Sequence, residues 1–176
     1  MPGLDISISF SALNIAVLTI SDTRKEETDK SGALLVEKLT EAGHTLVKKA
    51  IVPDNQAAIV ASLRGWVSDP AIDVVLTTGG TGVTGRDVTP EALSEIYEKE
   101  IPGFGELFRM LSYDLIGTST IQSRATAGVA NGTYLFALPG SPGACRDAWD
   151  GILLSQLDIR HKPCNFAELI PRLQER

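Results

Sequence analysis

The segment Asp73-Val74-Val75-Leu76-Thr77-Thr78-Gly79-Gly80-Thr81-Gly82 decides the fold, because an apolar, β-branched run passes directly into a glycine-rich turn. The run predicts a buried strand over residues 73–78, and a helix is expected beyond the turn, from Thr89 to Glu98. An earlier run, residues 14–21, has the nearly continuous apolar pattern of a parallel strand covered on both faces. Strand, turn and helix thus follow one another in the order typical of α/β proteins.

The same alternation fills the stretch between these two strands. Apolar residues at helical spacing run from Leu34 to Ala42 and stop at Gly43, as they do when glycine ends a helix. A strand over residues 44–52 then leads into a helix over residues 55–67. Because Asp54 falls between these two elements, we expect its carboxylate at a strand-to-helix junction.

The second half of the chain contains the strongest hairpin signal, the dipeptide Asn131-Gly132 between two apolar runs. The elements predicted there are a break at Pro102-Gly103-Phe104-Gly105, a helix over 106–115, a polar loop over 117–123, strands over 127–130 and 133–138, and a final helix over 144–157. The predicted fold is therefore an α/β, three-layer αβα domain with a central, mostly parallel sheet and a β-hairpin. Residues 1–12 show no clear period and are interpreted as an N-terminal arm, and residues 13–176 as a single domain.

Composition limits the function classes. Hydrophobic residues make up 43% of the chain and charged residues 22%, the balance of an ordinary globular protein. A net charge of −6 argues against a nucleic-acid partner, because phosphate-backbone binding needs clustered Lys and Arg. No apolar run approaches the roughly 20 residues of a membrane span, so no membrane partner and a cytoplasmic location are expected. Isolated cysteines (Cys145, Cys164) and histidines (His44, His161) suggest neither a redox pair nor a metal site.

The loops that follow the predicted strands are the candidate site, because ligands of open α/β sheets bind outside the carboxyl ends of the strands. Four such loops carry polar or glycine-rich sequence: Ser21-Asp22, Pro53-Asp54, Gly79 to Asp87, and Pro139-Gly140-Ser141-Pro142. In the third loop, glycines allow positive φ angles and close approach of backbone N–H groups to an anion. Hydroxyls of Thr78, Thr81 and Thr84 add donors without negative charge. A tight turn that uses glycine only for its geometry is the competing interpretation.

Two nucleotide-binding motifs are weighed against this loop. Gly80-x-Gly82-x-x-Gly85 matches the dinucleotide fingerprint, which suggests a nicotinamide or flavin enzyme. Its context is wrong, because the fingerprint should be followed by a second strand that ends in an acidic residue, whereas helices follow here. A P-loop is not indicated either, since no Lys-Ser or Lys-Thr closes the glycine run.

Asp54 and Asp87 are the candidate catalytic carboxylates and the candidate ligands of Mg²⁺. Both fall at the inferred ligand edge, and Mg²⁺ held by carboxylates bridges phosphate oxygens in phosphoryl and nucleotidyl transfer. Each also precedes a predicted helix, so helix capping is an alternative role that does not exclude the first.

Several motifs together resemble the MoaB/MogA family of molybdenum-cofactor biosynthesis, whose domain recurs in gephyrin. The motifs are Thr19-Ile20-Ser21-Asp22, Ile51-Val52-Pro53-Asp54, Thr77-Thr78-Gly79-Gly80-Thr81-Gly82, Arg86-Asp87-Val88-Thr89-Pro90-Glu91-Ala92, Pro102-Gly103-Phe104-Gly105-Glu106 and Leu138-Pro139-Gly140-Ser141-Pro142. Residues 104–112, 116–120 and 164–166 look more like MoaB than MogA. The resemblance covers nearly the whole chain.

The resemblance implies binding of molybdopterin, a pterin with a dithiolene and a terminal phosphate. In active members that phosphate is adenylylated from ATP with Mg²⁺, and the aspartate positions fall on Asp54 and Asp87. The alternative is a carrier that binds molybdopterin without turnover. The family also implies a homotrimer or a dimer of trimers, with other cofactor-biosynthesis proteins as possible partners. The substrate-binding candidates are Ser21, Asp22, Thr78, Gly79, Gly80, Thr81, Gly82, Glu106, Ser112, Ser119, Pro139, Gly140, Ser141 and Pro142.

Overall fold

A computed structural model, which describes residues 3–175, confirms the α/β class and the central sheet. The strands are β1 (Gly3–Leu4), β2 (Asn14–Ile20), β3 (Thr45–Val52), β4 (Val74–Thr78), β5 (Lys99–Glu100), β6 (Thr126–Ala130), β7 (Thr133–Leu138) and β8 (His161–Lys162). Six of them form one sheet in the order β3-β2-β4-β7-β6-β5. Strands β3, β2, β4 and β7 are parallel, whereas β6 is antiparallel to both β5 and β7. The carboxyl ends of β2, β3, β4 and β7 therefore meet at one edge.

Helices cover both faces of this sheet. They are α1 (Lys30–Glu41), α2 (Gln56–Val67), α3 (Thr89–Ser94), α4 (Pro102–Ile116), α5 (Pro142–Ala148), α6 (Leu154–Gln156) and α7 (Phe166–Leu169). A π-helical turn, Trp149–Leu153, joins α5 to α6, so the predicted final helix is continuous but irregular. Within residues 3–175, no helix has the length and apolarity needed to cross a bilayer.

Alternating side chains of the central strands divide the core into two halves. Val17 and Leu76 pack with α1, α4 and α5, whereas Leu18 and Val75 pack with α2 and α3 on the other face. All four are completely buried. Burial of each such side chain stabilises the fold by about 1.5–3 kcal/mol. Because both faces of the central strands are covered, their sequences are nearly unbroken apolar runs.

Three differences from the predicted elements change the description of the chain, beyond shifts of one or two residues at other element ends. The sequence Pro102-Gly103-Phe104-Gly105 begins α4 rather than breaking the chain, because proline fits the first helical position, where no backbone donor is needed. Helix α3 ends at Ser94, and the chain then enters the two-residue strand β5. The polar loop predicted over residues 117–123 contains a 3-10 helix, Gly117–Gln122.

The described part of the N-terminal arm packs on the domain. Strand β1 pairs antiparallel with β8, and the ring of Phe10 lies 5.3 Å from that of His44. His44 is buried and accepts a hydrogen bond at Nδ1 from the Leu13 backbone, 3.1 Å away. Residues 1, 2 and 176, which the predicted arm and domain include, lie outside the described residues, and the boundary at residue 13 stays a prediction.

Candidate functional site

A cleft of about 560 Å³ opens at the carboxyl edge of the sheet, beside the loops that follow β4 and β7. Helix α4 and the 3-10 helix after it form the opposite wall. Its volume suits a small organic molecule. Of the sequence-predicted residues, those that line the cleft are Gly80, Thr81, Gly82, Asp87, Ser112, Ser119, Pro139, Gly140 and Ser141.

The glycine loop needs its glycines for both angle and space. Gly79 and Gly80 have φ angles of +105° and +65°, which side-chain-bearing residues rarely adopt. A Cβ on Gly79 would lie 2.2 Å from the Ile20 carbonyl oxygen. A Cβ on Gly80 would lie 2.3 Å from Oγ1 of Thr89, whose hydroxyl donates to the Gly79 carbonyl at 2.8 Å. The backbone of this loop is therefore held close to the start of α3.

Asp87 is held in its ionised form by its own loop. The backbone N–H and the hydroxyl of Thr84 both donate to Asp87 Oδ2, at 2.9 and 2.6 Å, and these bonds lower the pKa of Asp87. A Cβ on Gly82 would lie only 2.8 Å from the same oxygen, so this glycine makes room for the carboxylate. The residue preceding α3 is Val88, without a side-chain cap, so Asp87 does not cap that helix.

Asp54 does not cap a helix either. The side chain of Asn55 accepts the Ala58 N–H at 3.0 Å and caps α2. Asp54 and Asp22 instead exchange hydrogen bonds, each carboxylate accepting the other residue's backbone N–H at 3.1 Å. Arg86 forms an ion pair with Asp22.

The two linked carboxylates are shifted in opposite directions. Burial raises the pKa of Asp54, and the negative charges of Asp22 and Asp87 add to that shift. The hydrogen bond from Arg86 lowers the pKa of Asp22. Asp54 also faces the glycine loop, since its Oδ1 lies 3.2 Å from the position of a Cβ on Gly80. Both carboxylates thus lie next to the glycine loop, Asp54 at Gly80 and Asp87 at Gly82.

The Pro139–Pro142 loop is tied to the strands beneath it. Thr78 donates from its hydroxyl to the Pro139 carbonyl at 2.9 Å, and the thiol of Cys145 donates to the same oxygen at 3.3 Å. Cys145 is completely buried, and this burial raises the pKa of its thiol to about 11. Gly140 lies against Gly79, since a Cβ on it would be 3.3 Å from the Gly79 Cα. The two glycine-containing loops are therefore in contact.

Some predicted residues lie next to the cleft without lining it. Thr78 and Gly79 are buried beneath its loops, and the Ser21 hydroxyl accepts the Arg24 N–H at 3.1 Å within the loop after β2. Pro142 is the first residue of α5, which Ser141 caps. Glu106 is exposed on α4 and is not among the lining residues. Their roles in binding stay predictions.

Two arginines at this edge, Arg24 and Arg124, are not among the residues predicted from the sequence. Arg24 donates to the Gly140 carbonyl at 2.8 Å, so it links the loop after β2 to the loop after β7. Arg124 donates from Nε to the Gly82 carbonyl at 2.7 Å and from Nη2 to the Asp87 carbonyl at 2.8 Å. Both contacts join residues more than 30 positions apart, and no local sequence pattern signals them.

The carboxylates alone do not form a complete metal centre. Among residues 3–175, no group of three or more His, Cys, Asp or Glu side chains is arranged to hold a metal ion. Mg²⁺, however, usually takes one or two protein carboxylates and completes its shell with water and substrate phosphates. Asp54 and Asp87, which both lie next to the glycine loop, have the ligand chemistry of that kind of site.

Known proteins are similar to this chain in sequence and in fold. A family model described as "Probable molybdopterin binding domain" matches residues 16–159. The molybdenum cofactor biosynthesis protein B of Escherichia coli K12 is 53% identical over 161 residues, which are 92% of this chain and 95% of that protein. The Bacillus subtilis 168 protein of the same name is 49% identical over 142 residues, 80% of this chain and 84% of that one.

Solved structures agree with these sequence matches. A crystal structure of molybdenum cofactor biosynthesis protein B superposes with a TM-score of 0.85 at 44% identity and covers 94% of this chain and 98% of that one. The tungsten cofactor synthesizing protein MoaB of Pyrococcus furiosus superposes with a TM-score of 0.72 at 37% identity, over 81% and 91% of the two chains. This chain therefore belongs to the MoaB family of molybdenum cofactor biosynthesis proteins.

Proposed function

We propose that this protein binds molybdopterin in the cleft and adenylylates its terminal phosphate, with ATP as the co-substrate and Mg²⁺ as the metal. The observation that carries the proposal is that Asp54 and Asp87 both lie against the glycine loop, Asp54 at Gly80 and Asp87 at Gly82, and that Asp87 and these glycines line the cleft. An oxygen of the molybdopterin phosphate would attack the α-phosphorus of ATP. The bond from that phosphorus to the oxygen bridging it to the β-phosphate would break, and pyrophosphate would leave.

The residues of the chain have separable tasks in this reaction. The backbone N–H groups of Gly80 and Thr81 donate to no backbone acceptor among residues 3–175, which supports their use as phosphate donors. The Thr84 bonds stabilise the ionised form of Asp87 and lower its pKa, and an ionised carboxylate attracts a cation. Bound Mg²⁺ would neutralise charge on the phosphate oxygens.

The wall opposite the glycine loop supports recognition of the pterin. It combines the apolar side chains of Phe108 and Ile116 with the hydroxyls of Ser112, Ser119 and Thr120. An aromatic ring with polar edges needs such a mixture of apolar contact and hydrogen-bonding groups. We propose the sequence-predicted site residues as the substrate-binding set on this basis, in a single domain over residues 13–176.

The proposal is tested by anaerobic incubation of the purified protein with molybdopterin, ATP and Mg²⁺. Adenylylated pterin and one equivalent of pyrophosphate are expected, and chelation of the metal should stop both. In the Asp87→Asn variant, we expect molybdopterin binding to persist and product formation to fall by at least about tenfold, because a charged metal contact is lost. Tight molybdopterin binding without product in the wild type would favour the carrier alternative and overturn the enzymatic proposal.

We further propose a homotrimer or a dimer of trimers, as the family resemblance implies, and a cytoplasmic location, as expected from the sequence pattern. The support within the chain is a row of exposed apolar side chains along α4, among them Met110 and Tyr113. The described part of the N-terminal arm is a second candidate contact, since Ile6 is 92% exposed. Other proteins of cofactor biosynthesis are candidate partners for the same surfaces.

A further inference from the structure

Arg124 joins the two walls of the cleft. It directly follows the wall segment Ser119–Ser123, and its side chain reaches across to the glycine loop. Its backbone N–H donates to the Thr81 carbonyl at 2.9 Å, Nε to the Gly82 carbonyl at 2.7 Å, and Nη2 to the Asp87 carbonyl at 2.8 Å. One residue thus fixes the beginning, middle and end of the loop that carries Asp87.

The remaining guanidinium nitrogen, Nη1, forms an ion pair with Glu91 on α3. The side chain of Arg124 is one-third exposed, and its planar fork points in three directions at once. An ammonium group on a flexible stem does not reproduce this arrangement. The fork therefore orients the loop relative to both α3 and the opposite wall.

Within residues 3–175, the other hydrogen bonds of Asp87 do not provide that orientation, because they come from its own loop. Its bonds from Thr84 lie inside the same loop, so they set the direction of the carboxylate but move with the loop when it shifts. The guanidinium reaches the loop from the opposite wall, about 40 residues further along the chain.

We propose that Arg124 is a positioning residue, which holds Asp87 in the geometry that binds a divalent cation and couples that geometry to the wall formed by Ser119–Ser123. The proposal rests on the proposed function, since it assumes that Asp87 is a metal ligand. Arg124 acts through Asp87 and not on the substrate. Its loss should therefore weaken metal binding more than it weakens affinity for the pterin, because the backbone bond from Arg124 to the Thr81 carbonyl remains in any variant.

The test measures Mn²⁺ binding by electron paramagnetic resonance, in the presence of a non-hydrolysable ATP analogue, and molybdopterin binding by fluorescence without nucleotide. Arg124→Gln should raise the Kd for Mn²⁺ by about tenfold or more, as expected for loss of charge-assisted hydrogen bonds. Arg124→Lys should fall between this variant and the wild type. Added guanidinium should restore Mn²⁺ binding to Arg124→Ala.

Arg109→Gln is the matched control. Arg109 donates to the carbonyls of Ser123 and Ala125, at 3.3 and 3.1 Å, so it supports the same segment without touching the glycine loop. Its Mn²⁺ affinity should stay within about twofold of the wild type. Equal loss of Mn²⁺ affinity in Arg109→Gln, or unchanged affinity in Arg124→Gln, would overturn the proposal. If Arg124→Gln does not fold, failure of guanidinium to restore Arg124→Ala would overturn it too.

The two proposals can fail separately. Wild-type protein that binds Mn²⁺ but forms no adenylylated pterin overturns the adenylyl transfer and leaves Arg124 to be judged on metal binding. Wild-type protein that forms product, with Arg124→Gln equal to it in both Kd values, overturns only the role of Arg124.

Discussion

Among single residues, Gly82 and Gly85 of the glycine loop show how the effect of an added methyl group depends on its neighbours. Gly82 and Gly85 lie three positions apart in the same loop, yet a Cβ would meet Asp87 at the first and nothing within 4 Å at the second. Neither has a positive φ angle. The pair therefore separates the need for space beside a carboxylate from the general effect of adding a methyl group.

Gly82→Ala is expected to displace the Asp87 carboxylate, because the added Cβ would be 2.8 Å from its Oδ2. We expect the metal-dependent rate to fall by about tenfold or more, as when a charged contact is lost. The measurement is the rate of pyrophosphate release as a function of Mg²⁺ concentration. Gly85→Ala is the control and should behave as the wild type. Equal rates in the two variants would contradict this role of Gly82.

Asp54 provides a pH-dependent prediction. Its pKa is raised in the fold, chiefly by burial, from an ordinary value of 3.8. A carboxyl with a raised pKa stabilises the fold below the unfolded-state pKa, and that contribution is lost as the pH rises through the folded-state value. Asp54→Asn should therefore have a higher Tm than the wild type at pH 7, and the difference should vanish as the pH falls below about 4.

The control for this prediction is Asp22→Asn. Because Arg86 lowers the pKa of Asp22, that carboxylate stabilises the fold at neutral pH, and its replacement should lower the Tm at pH 7. Thermal unfolding of both variants between pH 3 and pH 8 checks the opposite signs. A lower Tm for Asp54→Asn at pH 7 would show that burial of the Asp54 carboxylate does not destabilise the fold.

At the scale of the element, the parts predicted correctly are those specified by local pattern. Strand β4 was predicted from its β-branched run, and the hairpin of β6 and β7 from Asn131-Gly132. Strands β1, β5 and β8 were missed, since two residues do not form a period. The Arg124 contacts were missed for a related reason, because they depend on a partner loop that is distant in sequence.

The hairpin turn gives a prediction of its own. Asn131 and Gly132 have φ angles of +48° and +80°, the left-handed conformation of both central residues in a tight hairpin. Gly132→Ala should destabilise the protein by about 1 kcal/mol, because a Cβ disfavours positive φ. For a chain of this length the Tm should fall by roughly 2–4 °C.

Calorimetry checks this value, with Gly65→Ala as the control. Gly65 lies within α2, its φ angle is not positive, and a Cβ there would meet nothing within 4 Å, so this substitution should not lower the Tm. A Tm for Gly132→Ala equal to that of the wild type would mean that the turn relaxes without cost.

At the scale of the whole molecule, the exposed apolar surface is concentrated along α4 and the 3-10 helix that follows it. Leu107, Met110 and Tyr113 recur at helical spacing on α4 and are 40%, 68% and 56% exposed. Ile121 on the 3-10 helix is 81% exposed. Contiguous apolar surface of this kind marks sites of protein association.

Met110→Glu is therefore expected to break the proposed assembly. Light scattering of the wild type should give three or six times the chain mass of 18.8 kDa, and the variant should shift toward a single chain. Val47→Glu, at an exposed apolar position on strand β3 away from α4, is the control and should leave the mass unchanged. A wild type with the mass of one chain would contradict the oligomeric proposal.

The buried thiol of Cys145 has a consequence for handling reactive sulfur. With a pKa of about 11, it is almost entirely protonated at neutral pH, and a protonated thiol neither attacks disulfides nor binds soft metals. The proposed substrate carries two sulfurs of its own, so a thiolate beside the cleft would compete with them for soft metal ions or form mixed disulfides with them under oxidising conditions. Because Cys145 is buried beneath the Pro139 loop and protonated, it does not react with a dithiolene bound in the cleft. The exposed Cys164 is therefore the thiol that alkylating labels should reach first.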